Sequence, residues 1–304
     1  MRLLSGKLSR RFRLLAEEKY AYLSILPVFT IVFGFTIYPI LSALFFSVQK
    51  YRIGLPSFPF VGLQNYFDVL VSKSFQEAFV NTAYFVLTTV PLSILISLGI
   101  ALVLNQGFRG NTLLRVALLI PWAMPGISAA ALWSWIYDAE YGAWNGVLHS
   151  LGFIETYQPW KSSFQWAMPI LINVHLWKFI PISSILFLAA LATIPPSLYE
   201  AAEVDGAGVW KKFRVITIPM LKPMLRVILF LQTVYALLWH FVWVYVITRG
   251  GPGGATTTLP WFTYIKAFAA LDFGQGSALG IILALLVATL LPIYLRQVRL
   301  RATS

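Results

Sequence analysis

A short charged stretch between Glu200 and Arg214 holds the side chains of this chain that are best suited to chemistry with another molecule. It carries three carboxylates and three cations within fifteen residues, and it separates two long apolar segments. Six such charges at the centre of a bilayer would cost roughly 15–20 kcal/mol, whereas a span of Leu-like residues returns only about 6–12 kcal/mol. The stretch must therefore lie in water, where its charged groups are available for ion pairs with a partner.

The residues at the start of this stretch predict a short helix. Pro195 and Pro196 end the preceding apolar helix, because proline cannot continue one. Ser197 to Glu200 has the spacing of a capping box, which makes Ser197 the N-cap and lets the Glu200 carboxylate reach back to its amide. We therefore expect a helix that begins at Ser197 and carries the acidic residues.

A turn and a second short helix follow in the same stretch. Gly206 permits the backbone to reverse, and the next helix is expected from about Val209 until Pro219 stops it. The whole segment, residues 195–219, then forms two short helices on the membrane surface. A rigid pair of helices between two membrane spans can transmit a displacement, whereas a flexible loop would absorb it.

Several kinds of chemistry are excluded by what the chain lacks. It has no cysteine, which rules out disulfides, thiolate metal sites and thiol catalysis. Its three histidines form no cluster with carboxylates at metal-ligand spacing. Residues 250–254 are rich in glycine but lack the lysine of a phosphate-binding loop. We therefore expect no metal or cofactor on this chain, and any energy from ATP must come from a partner.

The composition is that of a membrane protein. Hydrophobic residues make up 59% of the chain, charged residues only 11%, and the mean hydropathy is +0.75. Backbone hydrogen bonding inside lipid requires such spans to be helices. The fold class is therefore an all-α membrane protein with six transmembrane helices. The six segments long and apolar enough to cross are about 20–48, 79–104, 116–138, 166–194, 227–248 and 276–295.

The distribution of Lys and Arg predicts the orientation. With both termini in the cytoplasm, the inside segments hold sixteen of these residues and the outside loops hold six. The chain then divides into a cytoplasmic N-terminal tail (1–19), one membrane domain (20–295) and a cytoplasmic C-terminal tail (296–304). Insertion and contact with anionic lipid account for the net charge of +12. Because the basic residues are spread over four separate inside segments, we expect no nucleic acid partner.

The charged stretch resembles the cytoplasmic signature of the permease subunits of binding-protein-dependent ABC importers. The matching positions are Glu200-Ala201-Ala202, Gly206, Ile216 and Pro219. Ile218 stands where Leu is usual in that family, a swap that conserves side-chain bulk. In membrane surroundings these fixed positions make an accidental match improbable, and the resemblance covers residues of about 20–295.

Two further stretches resemble the carbohydrate-uptake members of that family. Residues 62–66, Gly-Leu-Gln-Asn-Tyr, match a run typical of one of the two unlike permeases in sugar systems. Residues 248–252, followed by Thr256, match the Thr-Gly-Gly-Gly-Pro pattern that precedes the last span, except that Arg249 replaces a glycine.

The resemblance implies the type I ABC importer permease fold in the cytoplasmic (inner) membrane of a prokaryote. It also implies a complex with a second homologous permease, a dimer of ATPase subunits that binds ATP and Mg²⁺, and an extracytoplasmic solute-binding protein that delivers a carbohydrate. The residues implied to contact the ATPase are Glu200, Ala201, Ala202, Glu203, Asp205, Gly206 and Pro219. Those implied to face the binding protein are Gly251, Pro252, Gly253 and Thr256.

Polar and aromatic residues within the spans are candidates for the substrate pathway. Sugars are bound by aromatic faces that stack and by amides that contact hydroxyl groups. In the fifth span such residues share one helical stripe, and in the fourth two lie four residues apart. Interfacial belts of tryptophan and amide contacts between helices are the alternative explanation. The candidates are Gln232, Tyr235, Trp239 and Trp243 in the fifth span and Asn173 and Trp177 in the fourth.

Lys178 lies near the centre of its apolar segment. A cation at that depth faces a polar cavity or a partner. It could contact an anionic solute, or it could pair with a backbone carbonyl or with the second permease. We favour the structural role.

Two other functional classes remain as alternatives to the importer permease. A stand-alone secondary carrier requires carboxylates in mid-membrane, whereas the acidic residues lie in tails, in loops or near the ends of spans. A membrane enzyme acting on lipid-linked substrates requires clustered Asp or His at a membrane face. Neither signature is present in the sequence, so we expect a transport subunit and not an enzyme.

Overall fold

The computed structural model describes Tyr20 and residues 22–299, with side chains described as far as Thr289. The predicted N-terminal tail, 1–19, lies outside the described residues, and so does most of the C-terminal tail. Within the described part the regular structure is helical, apart from two isolated bridges that join Gln49 to Phe60 and Arg52 to Asp272.

Eleven helices of four or more residues are numbered here in chain order within the described part. They are α1 (Tyr22–Ser47), α2 (Gln64–Leu70), α3 (Lys73–Leu104), α4 (Asn111–Ala123), α5 (Gly126–Ile136), α6 (Ala143–Ser150), α7 (Ala167–Leu191), α8 (Pro196–Val204), α9 (Val209–Thr248), α10 (Leu259–Tyr264) and α11 (Phe273–Arg299). Short π-helical turns lie within α1 and α9 and directly after α10.

Each predicted span coincides with a helix or a pair of helices. Among the described residues, α1, α3, α7 and α9 are long and apolar enough to cross a membrane, and α4 with α5 forms a fifth span if the pair counts as one. The sixth predicted segment lies in α11, whose described apolar part, Phe273–Thr289, is shorter. The all-helical membrane architecture is therefore confirmed.

The third predicted span is broken and not merely kinked. Its two halves, α4 and α5, meet at an angle of 95°. Met124 between them has an extended backbone, with φ −64° and ψ 141°, and Pro125 is the N-cap of the second half. Pro125 has no N–H to continue the helical ladder and disfavours a helical conformation at Met124.

The core is formed where α3, α7 and α9 pack together. The stripe of α3 that faces α7 bears small or hydroxyl side chains, which let the two backbones approach closely. These include Thr89, Ser93, Ser97 and Ala101, each almost fully buried. Helix α11 packs on α1, α9 and α10, while the 18-residue apolar window of α1 is 0% buried. In this single chain α1 therefore presents its apolar surface to its surroundings.

Candidate functional site

Helix α8 begins differently from the prediction. Its first residue is Pro196, and its N-cap is Pro195, which has an extended backbone and makes no side-chain capping bond. The predicted capping box with Ser197 as N-cap is therefore wrong. Proline at the first helical position is already set to a helical φ and lacks only an N–H that would have no intrahelical partner there. The helix thus starts before Ser197 and without its hydroxyl group.

The other end of α8 is closed by a Schellman motif at Gly206. The Gly206 N–H donates to the carbonyl of Glu203 (3.0 Å), and the Ala207 N–H donates to the carbonyl of Ala202 (2.8 Å). Gly206 has φ +71°, a left-handed conformation that glycine adopts without the penalty a Cβ would bring. The predicted chain reversal is confirmed, and its geometry gives the reason for a glycine at this position.

Pro219 does not end the second helix, contrary to the prediction. Helix α9 runs without interruption from Val209 past Pro219 and continues to Thr248. A π-helical turn, Phe213–Thr217, directly precedes Pro219, and the Ile218 N–H donates to the carbonyl of Phe213, five residues back. The backbone hydrogen bonds have therefore already shifted from four-residue to five-residue spacing before Pro219. The missing N–H of Pro219 falls at this shift, so it does not end the helix.

Two side-chain contacts hold α8 against the start of α9. The hydroxyl groups of Tyr199 and Thr217 lie 2.9 Å apart, with Thr217 buried and Tyr199 half-buried. The Lys212 ammonium donates to the Glu203 carboxylate at 3.2 Å. The short helix is thus fixed to the long one although no residue of α8 is fully buried.

The free face of this pair of helices is both acidic and apolar. The predicted contact residues Glu200, Ala201, Glu203, Asp205 and Gly206 are exposed, whereas Ala202 and Pro219 are half-buried. Three large apolar side chains are also exposed to solvent: Val204 is 89% exposed, Val209 83% and Trp210 73%.

Sequence reasoning missed these three apolar residues. The signal that could have found them is the presence of Val and Trp inside a segment that must lie in water, where nothing else accounts for them.

Two of the predicted pathway residues on α9 are buried within this chain. Gln232 is 1% exposed, and its Nε2 donates to the carbonyl of Phe179 (3.2 Å) and to Ser183 Oγ. Trp243 is fully buried, and its Nε1 donates to His175 Nδ1 at 3.3 Å. Both side chains therefore join α9 to α7.

The other two members of this stripe lie nearer the surface. Tyr235 is half-buried and stacks on Phe179, with ring centroids 4.7 Å apart. Trp239 is 42% exposed, and its ring lies beside Gly126, where a Cβ would come within 3.1 Å of it. Their role in a substrate pathway stays a prediction.

The candidates on α7 belong to a cluster with α5. Asn173 Nδ2 donates to the Tyr137 hydroxyl group at 2.9 Å, and Trp177 meets Trp133 edge to face with centroids 5.6 Å apart. Trp133 in turn stacks on Tyr137 at 5.4 Å. Both candidates are half-buried and brought together by the structure, and Trp133 and Tyr137 join them. Sequence reasoning did not select these two, although they lie four residues apart on one helix face.

The loop after α9 is folded back on itself. Thr256 is fully buried, and its Oγ1 lies 2.7 Å from the carbonyl of Gly251 and 2.8 Å from Thr248 Oγ1. Asn81 of α3 donates to the carbonyls of Gly254 (3.1 Å) and Thr257 (2.9 Å). The predicted contact residues Gly251, Pro252 and Gly253 thus lie in a braced turn.

The backbone conformation at Arg249 accounts for the glycine that is usual at this position of the pattern. It has φ +51°, a region in which glycine carries no Cβ penalty. The position where the sequence departs from the glycine pattern is therefore one that glycine suits best.

The stretch at residues 62–66 closes the end of α1. Asn65 is 5% exposed, and its Nδ2 donates to the carbonyls of Ser47 and Gln49, each at 2.8 Å. The Tyr66 hydroxyl group donates to Ser47 Oγ at 2.8 Å. The final carbonyls of a helix lack partners within it, so Asn65 supplies a donor to the carbonyl of Ser47 at the end of α1 and also binds that of Gln49 two residues beyond.

The described residues contain no group of three His, Cys, Asp or Glu placed to hold a metal ion. The side chains near α8 supply exposed carboxylates and apolar surface but no arrangement of nucleophile and base. The geometry at this end of the molecule therefore suits contact with another protein.

Residues 70–301 match the family described as binding-protein-dependent transport system inner membrane component. The chain is 38% identical over 285 residues to the trehalose/maltose transport system permease protein MalF of Thermococcus litoralis, covering 94% of this chain and 95% of that protein. It is 37% identical to the sulfoquinovosyl glycerol transport system permease protein SmoG of Agrobacterium fabrum, covering 94% and 92% of the two chains. The sn-glycerol-3-phosphate transport system permease protein UgpA of Yersinia pestis is 35% identical, with coverage of 91% and 93%.

Solved structures share the fold. A chain of the bacterial alginate ABC transporter, in complex with an alginate pentasaccharide-bound periplasmic protein, superimposes with a TM-score of 0.81 at 20% identity, covering 95% of this chain and 96% of that one. The sequence match, the multi-pass helical architecture and this shared fold lead to one conclusion: the chain belongs to the inner-membrane permease family of binding-protein-dependent transport systems.

Proposed function

We propose that this chain is one of two permease subunits of an ATP-driven importer for a sugar or sugar derivative. A solute-binding protein outside the cell delivers the solute, and a dimer of ATPase subunits binds ATP and Mg²⁺. The names of the relatives, among them a trehalose/maltose and a sulfoquinovosyl glycerol permease, support a carbohydrate. The excess of Lys and Arg on one side supports six spans with both termini in the cytoplasm.

The observation that carries this proposal is that α8 is exposed and yet fixed in place. It lies outside the packed bundle with no fully buried residue, and it is nevertheless fixed to α9 through Tyr199 and Glu203. Its exposed carboxylates, such as Glu200, and the apolar side chain of Val204 remain available. A rigid, exposed helix with acidic and apolar groups is suited to a cleft of a partner that offers a basic residue and apolar surface.

Helix α9 supplies a route from that contact to the membrane interior. It begins next to α8 and is 40 residues long, or about 60 Å at 1.5 Å per residue. Tyr235 and Trp239 lie toward its other end, on the part that α5 and α7 contact. A displacement of α8 by the closing ATPase dimer would therefore move the residues proposed to line the pathway.

The braced loop at residues 249–258 is the proposed contact for the solute-binding protein. Gly251, Pro252, Gly253 and Thr256 lie within it, and its folded shape is set by Thr256 and Asn81. Because it follows the opposite end of α9 from α8, it would lie outside the cell when α8 lies in the cytoplasm.

The secondary-carrier alternative gains no support. Within the described residues, the long apolar helices α1, α7 and α9 contain no Asp or Glu, and in α3 Glu77 lies only one turn from the start. A carrier coupled to protons or sodium ions would be expected to hold carboxylates at mid-depth.

Glu200→Lys in the reconstituted complex tests the proposal. We expect normal insertion, loss of ATP-dependent uptake and release of the ATPase dimer during purification. Glu155→Lys is the matched control, because it makes the same charge change at an exposed residue in a loop predicted to lie outside. Normal uptake by the Glu200 variant would overturn the proposal, as would equal loss in both variants.

A further inference from the structure

The break between α4 and α5 leaves backbone carbonyls without their usual donors. The last four carbonyls of a helix have no partner within it. Met124 N–H still bonds to the carbonyl of Ile120, so the four released carbonyls are those of residues 121–124. Pro125 cannot donate to Pro121, because it has no N–H. Deep in a membrane, such groups require a donor from elsewhere in the protein.

Lys178 of α7 supplies that donor. Its side chain is buried, with the residue 4% exposed, and its ammonium group donates to the carbonyls of Pro121 (3.1 Å), Trp122 (2.7 Å) and Met124. An ammonium group has three N–H donors, so these three acceptors use all of them. The C-terminal end of a helix also carries partial negative charge, which a cation stabilises.

The same break positions a proposed pathway residue. Gly126 is the first residue of α5, and its Cα faces the ring of Trp239 so closely that a Cβ would lie 3.1 Å from the ring and 3.8 Å from Val242. Helix α5 also packs along the last turns of α9. A change in the angle between α4 and α5 would therefore move Gly126 relative to the ring of Trp239.

We propose that Lys178 is a positioning residue that holds the third span in its broken form by capping the carbonyl end of α4, and thereby fixes Gly126 against Trp239. Its ammonium group is fully occupied by backbone carbonyls, so it does not recognise the solute. The consequence for transport rests on the proposed function, whereas the effect on the helix break does not.

Spin-label distances test the proposal directly. The chain has no cysteine, so Leu113→Cys on α4 and Ala131→Cys on α5 introduce a unique pair of exposed labelling sites, provided that the partner subunits are made cysteine-free. A straight helix would separate these positions by about 27 Å along its axis. We expect one narrow, shorter distance in the assembled complex, and a shift toward the straight-helix distance in Lys178→Met.

A second variant keeps the test decisive if Lys178→Met fails to insert. Pro125→Ala restores the backbone donor for Pro121, so Pro125→Ala combined with Lys178→Met should insert and show the longer distance. If either Lys178 variant inserts and keeps the label distance found with Lys178 intact, the proposal is overturned, whether or not the complex imports sugar.

Uptake assays separate positioning from recognition. If Lys178 acts through the helix break, Lys178→Met should reduce uptake of neutral and anionic sugars by the same factor. If Lys178→Met loses uptake of anionic sugars only, and the distance between the two labels stays as it is with Lys178 intact, the proposal is overturned in favour of direct contact with the solute.

Discussion

The hydroxyl groups of Tyr199 and Thr217 lie 2.9 Å apart and join the short helix α8 to the first turns of α9. The two residues are eighteen positions apart, with the chain reversal at Gly206 between them. Because Thr217 is buried and the Tyr199 ring lines the groove beside it, this contact lies on the side of α8 that packs against α9. It therefore serves the attachment of α8 and leaves the outer face to a partner.

Tyr199→Phe should loosen this attachment without disturbing the membrane domain. The change removes one hydrogen bond, worth about 1 kcal/mol, and keeps the ring. If α8 transmits force, more ATP should be hydrolysed per solute imported, because part of each ATPase movement is lost between α8 and α9. The measurement is the ratio of hydrolysis to uptake in proteoliposomes. Tyr84→Phe, at an exposed ring on α3, should leave this ratio unchanged.

An unchanged ratio in Tyr199→Phe would show that the hydroxyl contact has no part in transmission. A raised ratio in both variants would point to a general effect on the helices and not to α8.

Gly206→Ala and Gly208→Ala form a matched pair that isolates the backbone conformation. A Cβ meets nothing within 4 Å at either position, but φ is +71° at Gly206 and −67° at Gly208. A left-handed conformation costs an L-residue roughly 1–2 kcal/mol. Gly206→Ala should therefore speed hydrogen exchange of the α8 amides and impair uptake, whereas Gly208→Ala should do neither.

Gly206→Pro should be more severe, because proline cannot adopt a positive φ and also removes the N–H that donates to Glu203. We expect normal insertion with transport uncoupled from hydrolysis. Equal exchange rates in Gly206→Ala and Gly208→Ala would contradict this account of the turn.

Asn65→Ala should destabilise the attachment of α1 at its C-terminal end. The substitution leaves the carbonyls of Ser47 and Gln49 without the donor seen here, at about 1–3 kcal/mol for each group that stays buried and unpaired. The expected result is a lower Tm of the purified complex. Gln64→Ala is the control, since Gln64 is exposed and, among the contacts described, its side chain bonds only to Asp68 of its own helix. Equal Tm values would show that Asn65 does not fix this helix end.

The sequence predicted where the helices lie better than it predicted how they end. Apolar runs locate the spans because lipid tolerates few alternatives to a helix. The error at Pro219 has a local cause, since the π-helical turn before it is not encoded by any simple periodicity. The 95° break is not evident from the sequence, because its stabilising donor, Lys178, comes from a different helix.

The candidate pathway shows the same limit. The spacing of Gln232, Tyr235, Trp239 and Trp243 predicts that they share one helical stripe. Periodicity does not tell which face meets a neighbour in the same chain, and two of the four, Gln232 and Trp243, are buried against α7. Glu200 and Gly206, by contrast, could be placed from sequence because charge and turn chemistry act locally.

Asn81→Ala should weaken the response to the solute-binding protein while leaving the ATPase contact intact. Asn81 donates to the carbonyls of Gly254 and Thr257, so its loss should release the loop that the binding protein is proposed to contact. We expect a higher concentration of loaded binding protein to be needed for half-maximal stimulation of ATP hydrolysis, with basal hydrolysis unchanged. Ser74→Ala, at an exposed position on the same helix, should not shift this concentration. A shift in basal hydrolysis alone would place the effect of Asn81 in the membrane domain, because a loosened docking loop cannot act before the binding protein arrives.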